Sequence, residues 1–159
     1  MVLCPYRKTA KRILRLDLVG ILYIQVIMET DLQKLLASME PELQPEVFVF
    51  ATVTPGDFKA LQTEIWGWFR EPEGITLILE KDTADSANLE YAFPSRLITL
   101  KVHSSLEAVG FLAVISGHLA AAEISANTIS AYYHDHLFVP EDQANQALEI
   151  LQIIMRSAQ

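Results

Sequence analysis

The sequence predicts an α+β fold in which antiparallel sheets are covered by helices. Short segments rich in β-branched and aromatic residues, typical of strands, alternate with segments whose apolar residues recur every three or four positions, typical of helices. Apolar residues make up 51% of the 159-residue chain and charged residues 20%. This is enough apolar material for a core that needs neither disulfides nor a metal ion.

The first half of the chain predicts a helix, a strand, a hairpin and a second, short helix. Thr30 and Gln33 have the spacing of a capping box, in which two side chains cap the first turn of a helix. Apolar residues then recur at i, i+3, i+4 and i+7, and this pattern stops before Pro41. Gly74 lies in the hairpin turn, where we expect it to adopt a positive φ. The predicted elements are a helix over residues 32–39, a strand over residues 47–53 closed by Thr54-Pro55-Gly56, hairpin strands over residues 65–70 and 75–80, and a helix over residues 82–89.

The second half predicts a strand, a helix, two strands and a final helix. Ser104 and Glu107 form a second capping-box pattern, which places the start of the first of these helices at Ser105. His134-Asp135 is the predicted tight turn between the two middle strands. The predicted elements are a strand over residues 97–102, a helix that ends near residue 123, strands over residues 128–133 and 136–139, and an amphipathic helix over residues 144–155.

This order is one strand short of a ferredoxin-like βαββαβ unit, because no residues follow Gln159 to supply the last strand. The first half has surplus strands, so we predict that it lends one to the second half. Two interlocked modules explain the order better than two independent domains. We place the first module at residues 28–93 and the second at residues 94–159.

Residues 1–27 form an N-terminal extension of different character. Residues 1–28 hold five basic side chains and one acidic one, and the basic part runs into an apolar part over residues 16–28. A helix of that length is too short to cross a hydrocarbon core of ~30 Å. Two interpretations remain: an amphipathic helix on a membrane surface, or a translated upstream stretch or loose tail. The helix signature just after Met28 favours the second, with the native start at Met28 and an extension that is not native or is disordered.

The rest of the chain is strongly acidic. Residues 29–159 carry seven basic and nineteen acidic side chains. A surface of this sign repels phosphate backbones and disfavours nucleic-acid binding. The single cysteine, Cys4, has no partner for an intramolecular disulfide, which fits a reducing compartment. We therefore expect a cytoplasmic protein with neither nucleic acid nor membrane among its partners.

Four stretches of the chain carry a family resemblance. Two of them look like an ACT domain: residues 99–110 (TLKVHSSLEAVG) and residues 119–127 (LAAAEISAN). Over residues 28–157 the chain resembles a small bacterial family of stand-alone tandem ACT proteins. The signature stretches of that family are similar to residues 70–76 (REPEGIT) and residues 132–140 (YYHDHLFVP).

The resemblance implies a function as well as a fold. ACT domains commonly bind amino acids at a junction between modules and regulate enzymes such as aspartate kinase. We therefore expect ferredoxin-like modules in tandem, no catalytic activity, no cofactor and no metal, with an amino acid or a related metabolite as ligand. No catalytic domain accompanies the modules, so any regulatory output passes to a separate protein partner. Open sheet edges favour edge-to-edge association, so we also expect a homodimer.

The ligand loop of an ACT domain joins its first strand to its first helix. Carried onto this chain, the resemblance places the loop after residue 102, with a neighbouring strand as the opposite wall. Backbone N–H groups of a helix starting at Ser105 would suit an α-carboxylate, and Gly110 would allow a ligand to approach closely. Many ACT domains carry an Asp-x-Pro-Gly-like turn here, whereas this chain has His103-Ser104-Ser105, which leaves the ligand open. The candidate ligand-binding residues are His103, Ser104, Ser105, Leu106, Glu107, Val109, Gly110, Asn127, Thr128, Ile129 and Ser130, with Glu71, Glu73 and Gly74 as additional contacts.

Two other functions remain open. The first is a ligand-free module that binds another protein through an exposed sheet edge. We expect Trp66 and Trp68 to lie on one face of their strand, in the core or in a dimer interface. The second is a small metal-dependent enzyme. Neither an HExxH motif nor paired cysteines support it, and a turn stabilised by Asp135 is the commoner role of its residues. Those residues are His103, His134, Asp135 and His136.

Overall fold

An antiparallel sheet with helices packed on one face forms the body of the protein. The structure is a computed structural model, and it describes residues 13–16, 22–25, 28–61 and 63–159. The strands are β1 (Ile13–Leu16), β2 (Leu22–Gln25), β3 (Pro41–Val53), β4 (Gly67–Arg70), β5 (Ile75–Glu80), β6 (Tyr91–Leu100), β7 (Asn127–Ser130) and β8 (Asp135–Pro140). The helices are α1 (Leu32–Ser38), α2 (Pro55–Ala60), α3 (Lys81–Ser86), α4 (Phe111–Ala121) and α5 (Ala144–Ser157). The large sheet has the order β4-β5-β3-β6-β8-β7, and all its neighbouring strands are antiparallel.

Strands β1 and β2 form a separate two-stranded sheet, in which Ile13 pairs with Gln25 and Leu16 pairs with Leu22. The other residues of the predicted extension, residues 1–12, 17–21 and 26–27, lie outside the described residues. The interpretation of the extension as a tail preceding a native start at Met28 therefore stays a prediction. Within the described part of the chain, no helix is long and apolar enough to cross a membrane.

Two βαββαβ units are interlocked in the large sheet. The first unit runs through β3, α2, β4, β5, α3 and β6, and the second runs through β6, α4, β7, β8, α5 and the start of β3. Strands β3 and β6 serve both units because they are 13 and 10 residues long. The strand that the second unit lacks at its C-terminal end is supplied at the start of β3, where Pro41 pairs with Leu100 and Leu43 with Ile98. The prediction that the first half lends a strand is confirmed.

Helix α1 comes from the first half of the sequence but packs with the helices of the second half. Leu35, Leu36 and Met39 are buried in one cluster with Ile115 of α4 and Leu151 of α5. The predicted boundary between residues 93 and 94 thus divides segments that pack against each other. The two module ranges, 28–93 and 94–159, stay a prediction.

The two faces of the large sheet carry different side chains. On the helix side the core is mostly aliphatic (the clusters around α1, α4 and α5 and around α2 and α3). On the opposite face Phe48, Phe138, Ile78 and Leu97 are buried together, and the rings of Phe48 and Phe138 meet edge to face with centroids 5.8 Å apart. Successive strand residues point to opposite faces, so the alternation within β3 and β8 separates these two layers.

Both predicted capping boxes are wrong. Helix α1 is capped by Asp31, which accepts a hydrogen bond from the N–H of Lys34 at 3.1 Å. An aspartate is at least as good an N-cap as a threonine, and here it lies next to the first helical residue. The helix predicted to start at Ser105 begins instead at Phe111, after Gly110. Ser104 therefore lies in the loop well before the helix, where its hydroxyl donates to Asp135.

Helix α2 was not predicted, although its start has an ordinary sequence signal. Thr54 is the N-cap and accepts from the N–H of Asp57 at 3.2 Å, and Pro55 occupies the first helical position. Proline is favoured at that position because its missing N–H would have no partner within the helix. The Thr-Pro-Gly sequence was interpreted only as the end of a strand.

Several strand limits differ from the predictions. Strand β3 begins at Pro41 rather than at residue 47, and β4 begins at Gly67 rather than at residue 65. The second hairpin turns at residues 131–134, so Asp135 is the first residue of β8 and not part of the turn. Gly74 has no positive φ. A glycine is required at this position for a steric reason, because a Cβ atom there would lie 2.9 Å from the carbonyl oxygen of Val53.

Trp66 and Trp68 lie on opposite faces of the sheet, so the prediction of a shared face is wrong. Trp66 packs edge to face against Phe138 with ring centroids 5.1 Å apart, whereas Trp68 lies against Phe58 of α2 at 5.2 Å. The reason is an irregularity at the start of β4: the N–H of Trp66 donates to the carbonyl of Ile78 at 2.8 Å, and Gly67 also pairs with Ile78. An extra residue of this kind breaks the alternation of side chains.

Candidate functional site

A cavity of about 170 Å³ lies where the loop after β6 meets the start of α4, the end of β7 and the start of β8. The loop between β6 and α4 is irregular over residues 101–110, and it forms one wall. The first turn of α4 forms the second wall, and the β7–β8 hairpin closes the third side. The residues that line the cavity are Ser104, Ser105, Leu106, Ala108, Gly110, Phe111, Leu112, Ala113, Ser130 and Asp135.

Asp135 is the one charged side chain in this lining, and it is only 5% exposed. Its two carboxylate oxygens each accept a hydrogen bond from a serine hydroxyl: Ser104 donates at 2.7 Å and Ser130 at 2.6 Å. The register of the sheet makes this possible, because Asp135 pairs with Ser130 on one side and with Leu100, at the end of β6, on the other. An ionised carboxylate has about four acceptor positions, so the two serines leave capacity for a further donor.

The start of α4 contributes backbone N–H groups to the same cavity. Gly110 precedes the helix with φ 91°, in the left-handed region that favours glycine. The first intrahelical hydrogen bond of α4 runs from the N–H of Val114 to the carbonyl of Gly110 at 3.0 Å. The N–H groups of Phe111, Leu112 and Ala113 therefore have no partner within the helix, and they mark its partially positive end.

A residue far away in sequence holds the loop in place. The N–H of Glu29 donates to the carbonyl of His103 at 2.9 Å, and the N–H of Ser105 donates to the carbonyl of Glu29 at 2.9 Å. The Glu29 carboxylate in turn accepts from the N–H groups of Asp31 and Thr30, both at 2.9 Å. These backbone hydrogen bonds lower the pKa of Glu29, and Lys34 lowers it further. The segment before α1 thus fixes the backbone on both sides of Ser104.

The histidines lie beside the cavity or away from it. The rings of His103 and His134 stack with centroids 5.2 Å apart, and Nδ1 of His134 lies 3.3 Å from the carbonyl oxygen of Val102. His136 points to the opposite face of the sheet, where Nδ1 lies 3.1 Å from Thr99 Oγ1. The four side chains of the metal-dependent interpretation therefore do not converge. In the part of the chain that the structure describes, no group of three or more His, Cys, Asp and Glu side chains could hold a metal ion.

We expect acid to destabilise the fold through two half-buried histidines. Burial lowers the pKa of His136, with the charge of His134 acting in the same direction and that of Asp135 against it. Burial also lowers the pKa of His103, again with a contribution from His134. A histidine whose pKa is lower in the folded state than in the unfolded state binds more protons when the chain unfolds. Its contribution to the stability of the fold is therefore fully present above the unfolded pKa of about 6.5, and this contribution is lost as the pH falls below that value.

Urea unfolding at about pH 7.5 and about pH 5.5 measures this effect. The difference between the two free energies of unfolding should shrink in His136→Asn, which keeps a polar group beside Thr99 but does not titrate. His118→Asn, at an exposed position of α4, is the control and should leave the difference unchanged. If the free energy of unfolding of His136→Asn changed with pH as much as that of the parent protein, this account would be contradicted.

The structure brings together some of the predicted ligand residues. Ser104, Ser105, Leu106, Gly110 and Ser130 line the cavity. The other predicted residues of the loop and strand lie outside the lining, namely His103, Glu107, Val109, Asn127, Thr128 and Ile129. Glu71, Glu73 and Gly74 lie in the β4–β5 turn, at the other edge of the sheet from β7. Ligand contact by any of these residues stays a prediction.

Asp135 was not predicted as a ligand residue. The sequence interpretation treated it as a turn residue or a metal ligand. The only signal that could have indicated its role is the spacing of Ser130 and Asp135, which pair directly across the hairpin. A turn placed at residues 131–134 instead of at His134-Asp135 would have revealed this pair.

The corresponding hairpin of the first unit lacks the polar pair. There Arg70 pairs with Ile75, directly before and after the β4–β5 turn. Ile75 is 2% exposed and belongs to the apolar core. The Thr76 hydroxyl donates to the carboxylate of Glu71, so one of the predicted additional contacts is engaged within its own turn. The two units thus differ at the position where the second has its buried carboxylate.

Comparison with known proteins assigns the family. ACT domains match residues 28–96 and residues 92–152. A crystal structure of a Vibrio cholerae protein of unknown function is 47% identical, has a TM-score of 0.68, and covers 78% of this chain and 95% of its own. The ligand-free regulatory subunit of aspartate kinase from Thermus thermophilus is 12% identical with a TM-score of 0.59, and covers 74% of this chain and 99% of its own. At that identity the likeness concerns the fold alone.

A shorter match links the chain to a curated protein of animals. Subunit 1 of the cytosolic arginine sensor for mTORC1, from Homo sapiens and from Bos taurus, is 51% identical over 43 residues, which is 27% of this chain. The chain spans 13% of the length of these relatives. Together the two family matches and the Vibrio cholerae relative show that the chain belongs to the ACT domain family and carries two ACT domains in tandem.

Proposed function

We propose that this protein is a non-catalytic sensor that binds an amino acid in the cavity between the 101–110 loop, the start of α4 and the β7–β8 hairpin. The observation that carries the proposal is that one small cavity contains both a negatively charged carboxylate and a partially positive helix end. The carboxylate of Asp135 is buried there, and the N–H groups at the start of α4 supply a partially positive end.

An amino acid is complementary to both groups. Its α-ammonium, or a cationic side chain, can donate to the free acceptor positions of Asp135 in charge-assisted hydrogen bonds. Its α-carboxylate can accept from the N–H groups of Phe111, Leu112 and Ala113. The hydroxyls of Ser104 and Ser130 hold the carboxylate of Asp135 in place before the ligand arrives, which reduces the ordering cost of binding.

The size of the cavity supports a small ligand. Pockets for drug-sized molecules occupy roughly 300–1,000 Å³, whereas this cavity measures about 170 Å³. A nucleotide would exceed it, and its phosphates would also meet the negative charge of Asp135 at close range. A free amino acid is small enough for this volume, and its ammonium group is attracted to Asp135.

Arginine is the first amino acid to test. The curated relatives that match over 43 residues are named as arginine sensors, and a guanidinium pairs with a carboxylate in a bidentate geometry.

A regulatory output would require a partner protein, with the ligand ordering the loop and shifting the population of partner-bound states. We also propose that the protein is a homodimer and that it acts in the cytoplasm, since its one cysteine fits a reducing compartment.

A thermal-shift screen of the full chain against the twenty amino acids and a few nucleotides tests the proposal. A ligand at about 100 times its dissociation constant adds about 2.7 kcal/mol of apparent stability, so binding would raise the melting temperature visibly. We expect one or two amino acids, arginine among them, to raise it, and the nucleotides to leave it unchanged. No shift with any amino acid would contradict the sensor and favour a ligand-free interaction module.

A further inference from the structure

A groove of about 480 Å³ runs along the contact between α4 and α5 and opens to solvent. Helix α1 closes one end of it. Gln33 and Leu36 of α1 line the groove, and the side-chain amide of Gln159, two residues after α5, donates to the carbonyl of Ala37 at 3.2 Å. The residues that line the groove include no lysine, arginine, aspartate or glutamate, so the groove is an apolar surface between three helices.

Helix α4 has the composition of a buried helix. Its sequence is FLAVISGHLAA, with apolar residues on every side and no lysine, arginine or carboxylate. A helix of this kind is normally buried all round. One side of α4 is buried against the core, whereas Gly117, His118 and Ala121 are exposed. The outer side of α4 therefore resembles a surface that another protein covers.

The wall of the groove on α5 is also apolar. Ile150, Ile153 and Ile154 line it at the spacing i, i+3 and i+4. Ile153 is 56% exposed, and among the exposed large apolar side chains of the described residues it is the one that lies on a helix. The apolar side of α4 thus continues onto α5 across the groove.

Helices α4 and α5 run antiparallel along the groove. Helix α4 follows β6 and helix α5 follows β8, and these two strands are antiparallel neighbours in the sheet. Val114 and Ala158 therefore lie at one end of the groove, and Ala122 and Ile150 lie at the other. A step of eight residues along a helix spans about 12 Å, so the groove is long enough for about two turns of an incoming helix.

The two ends of the groove have exposed side chains of opposite charge. Lys34 of α1 and Arg156 of α5 lie near the end that α1 closes. Glu149 of α5 and Glu123, two residues after α4, lie near the other end. Nζ of Lys34 is 3.8 Å from the carboxylate of Glu29, but an exposed pair of this kind contributes little and leaves the lysine able to bind another carboxylate. A complementary partner has acidic groups at the first end and basic groups at the second.

We propose that this groove binds an amphipathic helix of a partner protein, with acidic side chains at the α1 end and basic side chains at the other end. Apolar residues of that helix at i, i+3 or i+4, and i+7 contact the groove. Acidic residues in the first turn and basic residues in the last turn also stabilise a helix by themselves. The inference goes beyond the amino-acid site, because it names the surface and the kind of partner that a regulatory output requires. Docking does not depend on an amino acid, and its test uses none.

A helix suits the groove better than three other occupants. The backbone groups of α4 and α5 bond within their own helices, so an extended chain would find no strand to pair with, whereas a helix satisfies its own backbone. The polar side chains of the lining, Gln33, His118 and Ser157, are all exposed, so none is a buried group that could orient a small molecule. A second copy would present the same concave surface, because a two-fold interface uses one patch twice, and two grooves do not fill each other.

Fluorescence anisotropy with a synthetic helix tests the proposal. The probe is a labelled peptide of about 14 residues, with leucines along one face, glutamates in the first turn and lysines in the last turn. It should bind the intact chain, and a peptide of the same composition with the leucines spread around the helix should bind at least about tenfold more weakly. Equal binding of the two peptides would overturn the proposal. So would no binding by the intact chain, the result expected if another segment of the same chain filled the groove.

Substitutions in the groove locate the binding surface. Ile153→Glu should weaken binding of the probe at least about tenfold, because it places a charge in an apolar contact. Circular dichroism should show that this variant folds as the parent does, since Ile153 is mostly exposed. Tyr132→Glu adds the same charge at an aromatic residue that is 67% exposed in the β7–β8 turn, and it should leave binding unchanged. Arg156→Glu should weaken binding roughly fivefold at low salt and less at high salt. Unchanged affinity in Ile153→Glu would contradict the groove as the binding surface.

Sedimentation velocity distinguishes a partner helix from a second copy. Ile153→Glu should have the same oligomeric state as the parent protein, because the groove is not a contact between copies. Loss of a dimer in Ile153→Glu would assign the groove to a second copy and overturn the proposal. Each of these outcomes leaves the amino-acid site and its thermal-shift test untouched.

Discussion

Asp135→Asn should weaken the binding of arginine to this protein by roughly 10- to 150-fold, because a hydrogen bond to a charged group contributes about 1.5–3 kcal/mol. The substitution removes the one charge in the cavity lining while it keeps the size of the side chain. The asparagine can still accept from Ser104 or from Ser130, so the hairpin and the loop retain a contact. A ligand cation, in contrast, loses its counter-charge.

Isothermal titration calorimetry of L-arginine against the full chain measures this effect. Glu149→Gln is the control, because it removes a carboxylate at an exposed position of α5 outside the cavity lining. Its affinity for arginine should equal that of the parent protein. An Asp135→Asn variant that remains folded and binds arginine with unchanged affinity would exclude Asp135 as the receptor of the cation.

Leu35→Ala should destabilise the protein by about 2–5 kcal/mol, the range for a leucine truncated in a packed core. Leu35 is 0% exposed and lies in the cluster that joins α1 to α4 and α5. This cost follows from the interlocked arrangement, in which a helix of the first half completes the core of the second. If α1 were a loosely attached helix of the first half alone, the truncation would cost far less.

Urea unfolding measured by circular dichroism checks the expected loss. Ile153→Ala, on α5 and 56% exposed, is the control and should cost less than about 1 kcal/mol, since mutations at exposed positions rarely have large effects. A loss below about 1 kcal/mol for Leu35→Ala would contradict the packing of α1 in the shared core.

The fold was predictable from the sequence where a pattern is local and repeated. The apolar spacing over residues 32–39 predicted the buried face of α1, to which Leu35 and Leu36 belong. The strand shared between the two units was predicted by counting elements, but its position was not. Pro41 starts β3 well before the aromatic run at Phe48, and nothing in the composition of the intervening residues signals a strand. These intervening residues form a strand only because they pair with β6.

The site was predictable only in part, because two signals competed for the same residues. Ser104 and Glu107 have the spacing of a helix cap, yet the Ser104 hydroxyl is used by Asp135, 31 positions later in the sequence. Gly110, whose positive φ allows the chain to enter α4, marks the true start of the helix. The role of Glu29 depends on backbone hydrogen bonds to a distant loop, and such bonds leave no mark on side-chain patterns.

The most direct test of the amino-acid site is a two-dimensional amide NMR titration of the full chain with L-arginine and, separately, with the other amino acids. The account predicts that the largest shift changes fall on the amides of Ser105, Leu112, Ala113 and Asp135, and that the amide of Ala84 in α3 stays unchanged. Shift changes concentrated elsewhere, or a spectrum that no amino acid perturbs, would contradict it.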